Sequence, residues 1–273
     1  MRIYISADIE GIQGVAAADS LFPGRFDYED AREMMTRAVL AACETAHELG
    51  AEEVVVSDSH GNGQNIRYER MPSYVQLVRS WPRPLGMMQG IEVGEYAGAF
   101  FIGYHTGATN PRGIMAHTMT GDFHEVRLNG LTVSEAALSA AIAGHFGVPV
   151  LMVAGDDAAV EETCELLGDV ATATLKTSFA RYSAMMLSPE VADARIRKGV
   201  RDAFDRIGRR APYVVEAPTT LELRLHRSYM AEWLSYIDEV ERLDAFTIRY
   251  KAKDIVSVSR FLTFLTNTRS VFA

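Results

Sequence analysis

Only two cysteines occur in 273 residues, Cys43 and Cys164, which argues against a disulfide framework. Neither stands in a C-x-x-C spacing and both fall in segments with a helical pattern, so cysteine-ligated zinc is not expected either. No run approaches ~18 apolar residues, and the opening Met1-Arg2-Ile3-Tyr4-Ile5-Ser6-Ala7-Asp8 lacks a basic stretch followed by a long apolar one. The expected compartment is the cytoplasm, with no membrane partner. Positive charge is scarce as well: 27 Lys and Arg against 36 Asp and Glu give a net charge of -9 and no local basic cluster. That balance points away from nucleic acid. Internal repeats and low-complexity tracts are absent too.

What is present is ordinary globular composition, 48% hydrophobic and 23% charged, in a chain long enough for one large domain with a smaller appendage. Four short apolar runs, residues 2–8, 53–57, 98–104 and 149–154, read as buried parallel strands. Between the first two, residues 27–49 form a long amphipathic helical pattern closed by Gly50, the spacing of a right-handed crossover. Asn129-Gly130 predicts a type I′ hairpin within residues 126–133, and Ser134 is a good cap for a helix to about His145. Ser188-Pro189 opens another helix that ends near Gly208. Strand-like alternation follows at 221–226 and 246–251, and a closing helix at 254–266. The fold class read from this is α/β, a mostly parallel sheet with flanking helices. A catalytic domain over 1–185 is expected to carry a smaller α+β unit over 186–273.

Chemistry concentrates at the ends of the predicted strands. Asp8 and Glu10, two residues apart in an extended segment, leave on one face. Like charges held side by side are costly without a cation or a shared proton. His60 follows the second strand, His105 the third, and Glu135 opens the helix after the hairpin. Singly, such residues are more often solvated strand ends or caps. Their common position at the carboxyl edge of a parallel sheet favours a metal site. Imidazole and carboxylate without thiolate suit Zn, Mn, Co or Fe(II), and three carboxylates balance two divalent ions and one hydroxide.

Other residues have a plain reading beside a functional one. His117, polar among apolar neighbours, reads as a buried hydrogen-bonded histidine, and His124 as a surface one. Asp58 either orients His60 or caps the next helix. Lys176 and Arg181 read as a solvated helix face, or as a cation that holds a peptide carboxylate. Asp156 and Asp157 cap a helix starting near Ala158, or bind a substrate amine. Met34-Met35 and Met185-Met186 read as core packing.

Five segments, in this order, resemble those of the zinc-dependent D-aminopeptidases of bacterial dipeptide-transport operons: Ser6-Ala7-Asp8-Ile9-Glu10-Gly11, Ser57-Asp58-Ser59-His60, Gly103-Tyr104-His105, Met115-Ala116-His117-Thr118-Met119 and Leu151-Met152-Val153-Ala154-Gly155-Asp156-Asp157. The likeness spans most of the chain and is sharpest over residues 1–160. It implies two zinc ions per chain, with Asp8 as the bridging carboxylate and Glu10, His60, His105 and Glu135 as the other ligands. It also implies a catalytic role for His117 and a homo-oligomer, a ring-shaped decamer enclosing the active sites. The activity it implies is release of N-terminal, D-configured residues from short peptides. The alternatives are a metal-dependent amidase for another small amide and a metal-stabilised peptide-binding protein without turnover.

Overall fold

The first apolar run forms strand β1 (Arg2–Ala7), with Ile3 and Ile5 on one face and Tyr4 and Ser6 on the other, all buried. Burial on both faces is the reason this strand reads as a continuous apolar run. The structure, a computed structural model, describes residues 1–268. After β1 come α1 (Tyr28–Glu48), β2 (Glu53–Asp58), β3 (Val75–Val78), β4 (Ala99–Tyr104), β5 (Phe123–Leu128), β6 (Leu131–Thr132) and α2 (Glu135–His145). The chain continues through β7 (Val150–Asp156), α3 (Asp157–Leu167), β8 (Ala171–Ala180), β9 (Ser183–Met186) and α4 (Pro189–Phe204). It then forms β10 (Thr219–Leu225), α5 (Ser228–Leu234), β11 (Val240–Arg242), β12 (Thr247–Ala252) and α6 (Ile255–Asn267).

Seven strands in the order β3-β2-β1-β4-β7-β8-β9 make the main sheet, parallel throughout except for the antiparallel edge strand β9. One of its faces, with Ile3, Ile5, Val54, Val56 and Phe100, packs on α1 and α4. The other, with Tyr4, Val55, Phe101 and Val153, is covered by α2, α6 and Leu221, Leu223 and Ile248 of a second sheet. The expected mostly parallel α/β architecture is therefore borne out.

The second sheet is antiparallel, in the order β11-β12-β10-β5-β6. It draws on two distant parts of the chain, because β5 pairs with β10. Asn129 and Gly130, at φ 48° and 85°, make the type I′ turn between β5 and β6. Helix α4, although it follows residue 185, packs on α1 and β8 of the main sheet.

Helix starts follow their caps. Ser134 accepts the Ala137 N–H at 3.4 Å, Asp156 that of Ala159 at 2.9 Å, and Ser188 that of Val191, with Pro189 next. Lys176, Arg181 and the Met185-Met186 pair depart from expectation. Lys176 lies in β8, on no helix, and Arg181 lies in the turn between β8 and β9. The period is two: Ala171, Ala173 and Leu175 point inward, with exposed Thr172 and half-buried Thr174 between them. Met185, on the edge strand, is exposed, so the second methionine pair is not core, whereas Met35 on α1 is fully buried.

Candidate metal centre

Strands β2, β1 and β4 are neighbours in the main sheet, and their carboxyl ends bring Asp8, Glu10, His60 and His105 to one edge. The ends of β1 and β4 are pulled close together. Asp8 N–H donates to the Ile102 carbonyl at 2.8 Å and Gly11 N–H to that of Gly103 at 2.7 Å. Only glycine fits at these crossings. A Cβ on Gly11 would stand 2.1 Å from the Tyr104 oxygen, and one on Gly103, at φ 76°, would stand 2.2 Å from the Asp8 oxygen. Glu135, placed in the first turn of α2 by the Ser134 cap, faces the same edge and accepts the Met119 N–H at 2.6 Å.

Each histidine of the group spends its N–H on a backbone carbonyl. His60 Nε2 donates to Leu21 at 2.8 Å, His105 Nδ1 to Thr106 at 2.9 Å and His117 Nδ1 to Met115 at 2.9 Å. In the neutral imidazole the remaining nitrogen carries a lone pair, and all three of these nitrogens face carboxylates. His60 Nδ1 is 3.0 Å from Glu10 Oε2 and 3.2 Å from Asp8 Oδ1. His105 Nε2 is 3.5 Å from Asp8 Oδ2 and 3.4 Å from Glu135 Oε1, and His117 Nε2 is 3.6 Å from the same Glu135 oxygen. Lone pair against carboxylate is repulsive unless a cation lies between.

A divalent metal fits this space. Ligands about 2.0–2.1 Å from a tetrahedral ion lie ~3.3 Å apart, the scale of the contacts just given. Glu10 Oε2 and His105 Nε2 are buried without a hydrogen-bond partner, as donor atoms awaiting an ion would be. The side chains fall into ligand groups Asp8–Glu10–His60 and Asp8–His105–Glu135, which share Asp8 and use its two oxygens in opposite directions. A third group, Glu10–His105–His117, brings His117 within ligand reach as well. The carbonyl bonds that orient the imidazoles are the supporting contacts expected around a metal.

With no ion between them, the same carboxylates draw protons onto the imidazoles. Burial, then neighbouring Glu10, pushes the Asp8 carboxyl up to about 7. Burial also acts upward on Glu10, but His60, His105 and His117 outweigh it and hold that carboxyl well below its usual range. Burial acts downward on His60 and His105, and the surrounding carboxylates outweigh it and lift both well above the ordinary histidine value. His117 is depressed, by burial and by His105. Among the described residues, no Lys or Arg forms an ion pair with Asp8, Glu10 or Glu135.

His117 sits in a strained loop. Met115 and Met119, on either side, hold positive φ of 48° and 63°, each costing on the order of 1 kcal/mol or more for a non-glycine residue. The loop is tied down by Met115 N–H to the Arg181 carbonyl at 2.9 Å, and its ring stacks on His105 with centroids 4.1 Å apart.

Two of the remaining expectations change, and a third is decided in favour of its plain reading. Asp58 does not touch the His60 ring and caps no helix. Its carboxylate accepts from Asn65 N at 2.6 Å, Asn65 Nδ2 at 2.7 Å and Ile66 N at 2.7 Å, and Asn65 in turn donates to the His60 carbonyl. Lys176 is no solvated residue. Burial depresses its ammonium to about 8, with Asp156 and Glu10 opposing, and it donates to the carbonyls of Glu10, Ile12 and Val15. Asp156 caps α3 through the Ala159 N–H, as expected, and Asp157 accepts the Ser178 N–H, which leaves the amine-binding reading without support. His124 is exposed, as expected, and packs edge-on to His226.

The centre opens into a cavity of about 680 Å³ whose apolar walls include Leu21, Phe22, Trp81, Met87, Met115 and Met119. That is the size of a small-molecule or short-peptide site. No motif announced Phe22 or Trp81, which come from irregular loops.

Residues 1–264 match the model of the peptidase M55 family, D-aminopeptidase. The chain belongs to this D-aminopeptidase family. A D-aminopeptidase of Bacillus subtilis (strain 168) is 31% identical to it over 267 residues, 97% of each chain. Among solved structures it is similar to the Zn-dependent D-aminopeptidase DppA from Bacillus subtilis, described as a self-compartmentalizing protease. The TM-score is 0.93 at 29% identity, over 100% of this chain and 99% of the other. The family reading made from the five motifs is borne out. With it goes the expected class of enzyme, a peptide hydrolase acting at amino termini, in preference to a non-catalytic peptide-binding protein.

Proposed function

We propose that this protein releases the D-configured amino-terminal residue of short peptides at a centre of two zinc ions bridged by Asp8. Glu10 and His60 complete one ion's protein ligands, and His105 and Glu135 the other's. The observation that carries this is the set of imidazoles whose N–H groups are taken by carbonyls and whose lone pairs face carboxylates without a Lys or Arg partner. Bound zinc would supply a Lewis acid for the scissile carbonyl and a water of lowered pKa.

His117 has a separate role in this proposal. Its ring is fixed by the Met115 carbonyl and lines the cavity, and burial lowers its pKa and so favours the neutral imidazole, which can take a proton or assist the attack. The active species is a homo-oligomer, a decamer by resemblance, whose enclosed sites admit short peptides. The cytoplasm suits two cysteines that remain unpaired. No helix among the described residues is long and apolar enough to cross a membrane.

The test is hydrolysis of D-alanyl-D-alanine and L-alanyl-L-alanine by the purified protein as isolated, after chelation, and after zinc is restored. The proposal expects the D-peptide to be cleaved, chelation to abolish cleavage and zinc to bring it back. Cleavage indifferent to chelation, or no cleavage of either peptide, contradicts it.

A further inference from the structure

The cavity is an unwelcoming place for an anion. Asp8, Glu10 and Glu135 line it, the whole chain is negative, and among its described lining residues Arg181 is the one permanent cation. Its position is fixed from both ends: its carbonyl accepts the Met115 N–H at 2.9 Å, and its Nη1 donates to the Ala116 carbonyl at 2.8 Å. Nε faces the Tyr182 hydroxyl at 3.2 Å. Nη2 has no hydrogen-bond partner among the described residues, and no carboxylate among them lies within ion-pair distance. A guanidinium held in place with one edge open to a cavity is the arrangement that captures a carboxylate by charge-assisted hydrogen bonds.

The spacing suits the end of a short chain. The guanidinium bonds the carbonyl of Ala116, the residue before His117, and both Arg181 and His117 line the cavity, where one peptide unit of substrate spans ~3.6 Å. Lys176, five residues earlier, offers nothing comparable, since its ammonium is buried and given over to three backbone carbonyls.

We infer that Arg181 binds the free carboxylate of a dipeptide whose amide lies over the metal centre, and so selects dipeptide acids over amides. The inference rests on the aminopeptidase reading. Part of the binding energy comes from the far end of the substrate, and a peptide without a carboxylate at that distance forgoes it.

The experiment compares kcat and KM for D-alanyl-D-alanine and D-alanyl-D-alanine amide with the zinc-loaded wild-type protein, Arg181→Met and Arg181→Lys. The wild type should prefer the acid by roughly 10- to 100-fold in kcat/KM, the worth of a hydrogen bond to a charged group. Arg181→Met should erase that ratio, chiefly through KM, and Arg181→Lys should restore part of it. A merely structural tie to the His117 loop would lower both substrates together and leave the ratio unchanged, and that result overturns the inference. Equal wild-type rates on acid and amide overturn it too, with the aminopeptidase reading intact. No cleavage of either substrate defeats that reading, and the inference with it.

Discussion

The two sheets treat their carboxylates in opposite ways. On the second sheet Glu222 meets Arg249 at 2.7 Å, Glu125 meets Arg127 at 2.9 Å and Glu241 meets Arg249 at 3.3 Å, all at or near the surface. At the carboxyl edge of the main sheet Asp8, Glu10 and Glu135 are buried, and their only ion-pair contacts among the described residues are histidines. Surface pairs of the first kind are worth little, because water solvates the partners almost as well. Buried carboxylates of the second kind are too costly to leave uncompensated. Acids of the second sheet paired with arginine, beside three buried acids of the main sheet left to imidazole, are the contrast expected if that edge takes a cation that is not a side chain.

The contrast can be broken most severely at Asp8. Removing the one carboxylate shared by both ligand groups should cost Asp8→Ala both ions and essentially all activity, whereas His60→Ala and His105→Ala each weaken one ion. Metal content of the three variants at matched folding checks this, and equal losses would remove the bridging role. Next comes His117. If it handles a proton and does not coordinate, His117→Ala keeps both ions and the fold while turnover falls by roughly 10²-fold or more. Metal analysis beside single-turnover kinetics decides it, and loss of an ion would make His117 a ligand through the Glu10–His105–His117 group. The smallest effect belongs to the second sheet, where Glu222→Gln should cost under about 1 kcal/mol in denaturant unfolding and leave metal content unchanged. A loss of metal there would show that the sheets are coupled in a way the local charges do not suggest.

Much of the centre was legible because it lies where strong local signals end. Apolar runs locate the ends of β1, β2 and β4, and so Asp8, Glu10, His60 and His105; the Ser134 cap locates Glu135. The close approach of β1 and β4, which depends on Gly11 and Gly103, is a contact between distant segments and has no local pattern. Lys176 looks like part of a helix face because the alternation of β8 is carried by alanine and threonine, weakly apolar and weakly polar, and is then interrupted by this buried lysine. Lys176 can be inside only because the loop after β1 turns three carbonyls toward it. Asp58 neither orients His60 nor caps a helix for a similar reason, since Asn65 and Ile66 reach it through an irregular loop. His117 is fixed by Met115, Arg181 and His105, and only the family resemblance drew it out as more than a buried polar residue.

The central claim is that the edge of the main sheet holds two metal ions that share Asp8. Anomalous diffraction from zinc-loaded crystals tests it most directly. Two peaks are predicted, about 3.5–4 Å apart, with the Asp8 carboxylate between them, Glu10 and His60 on one and His105 and Glu135 on the other. A single peak enclosed by Glu10, His105 and His117, or none at all, would contradict the account.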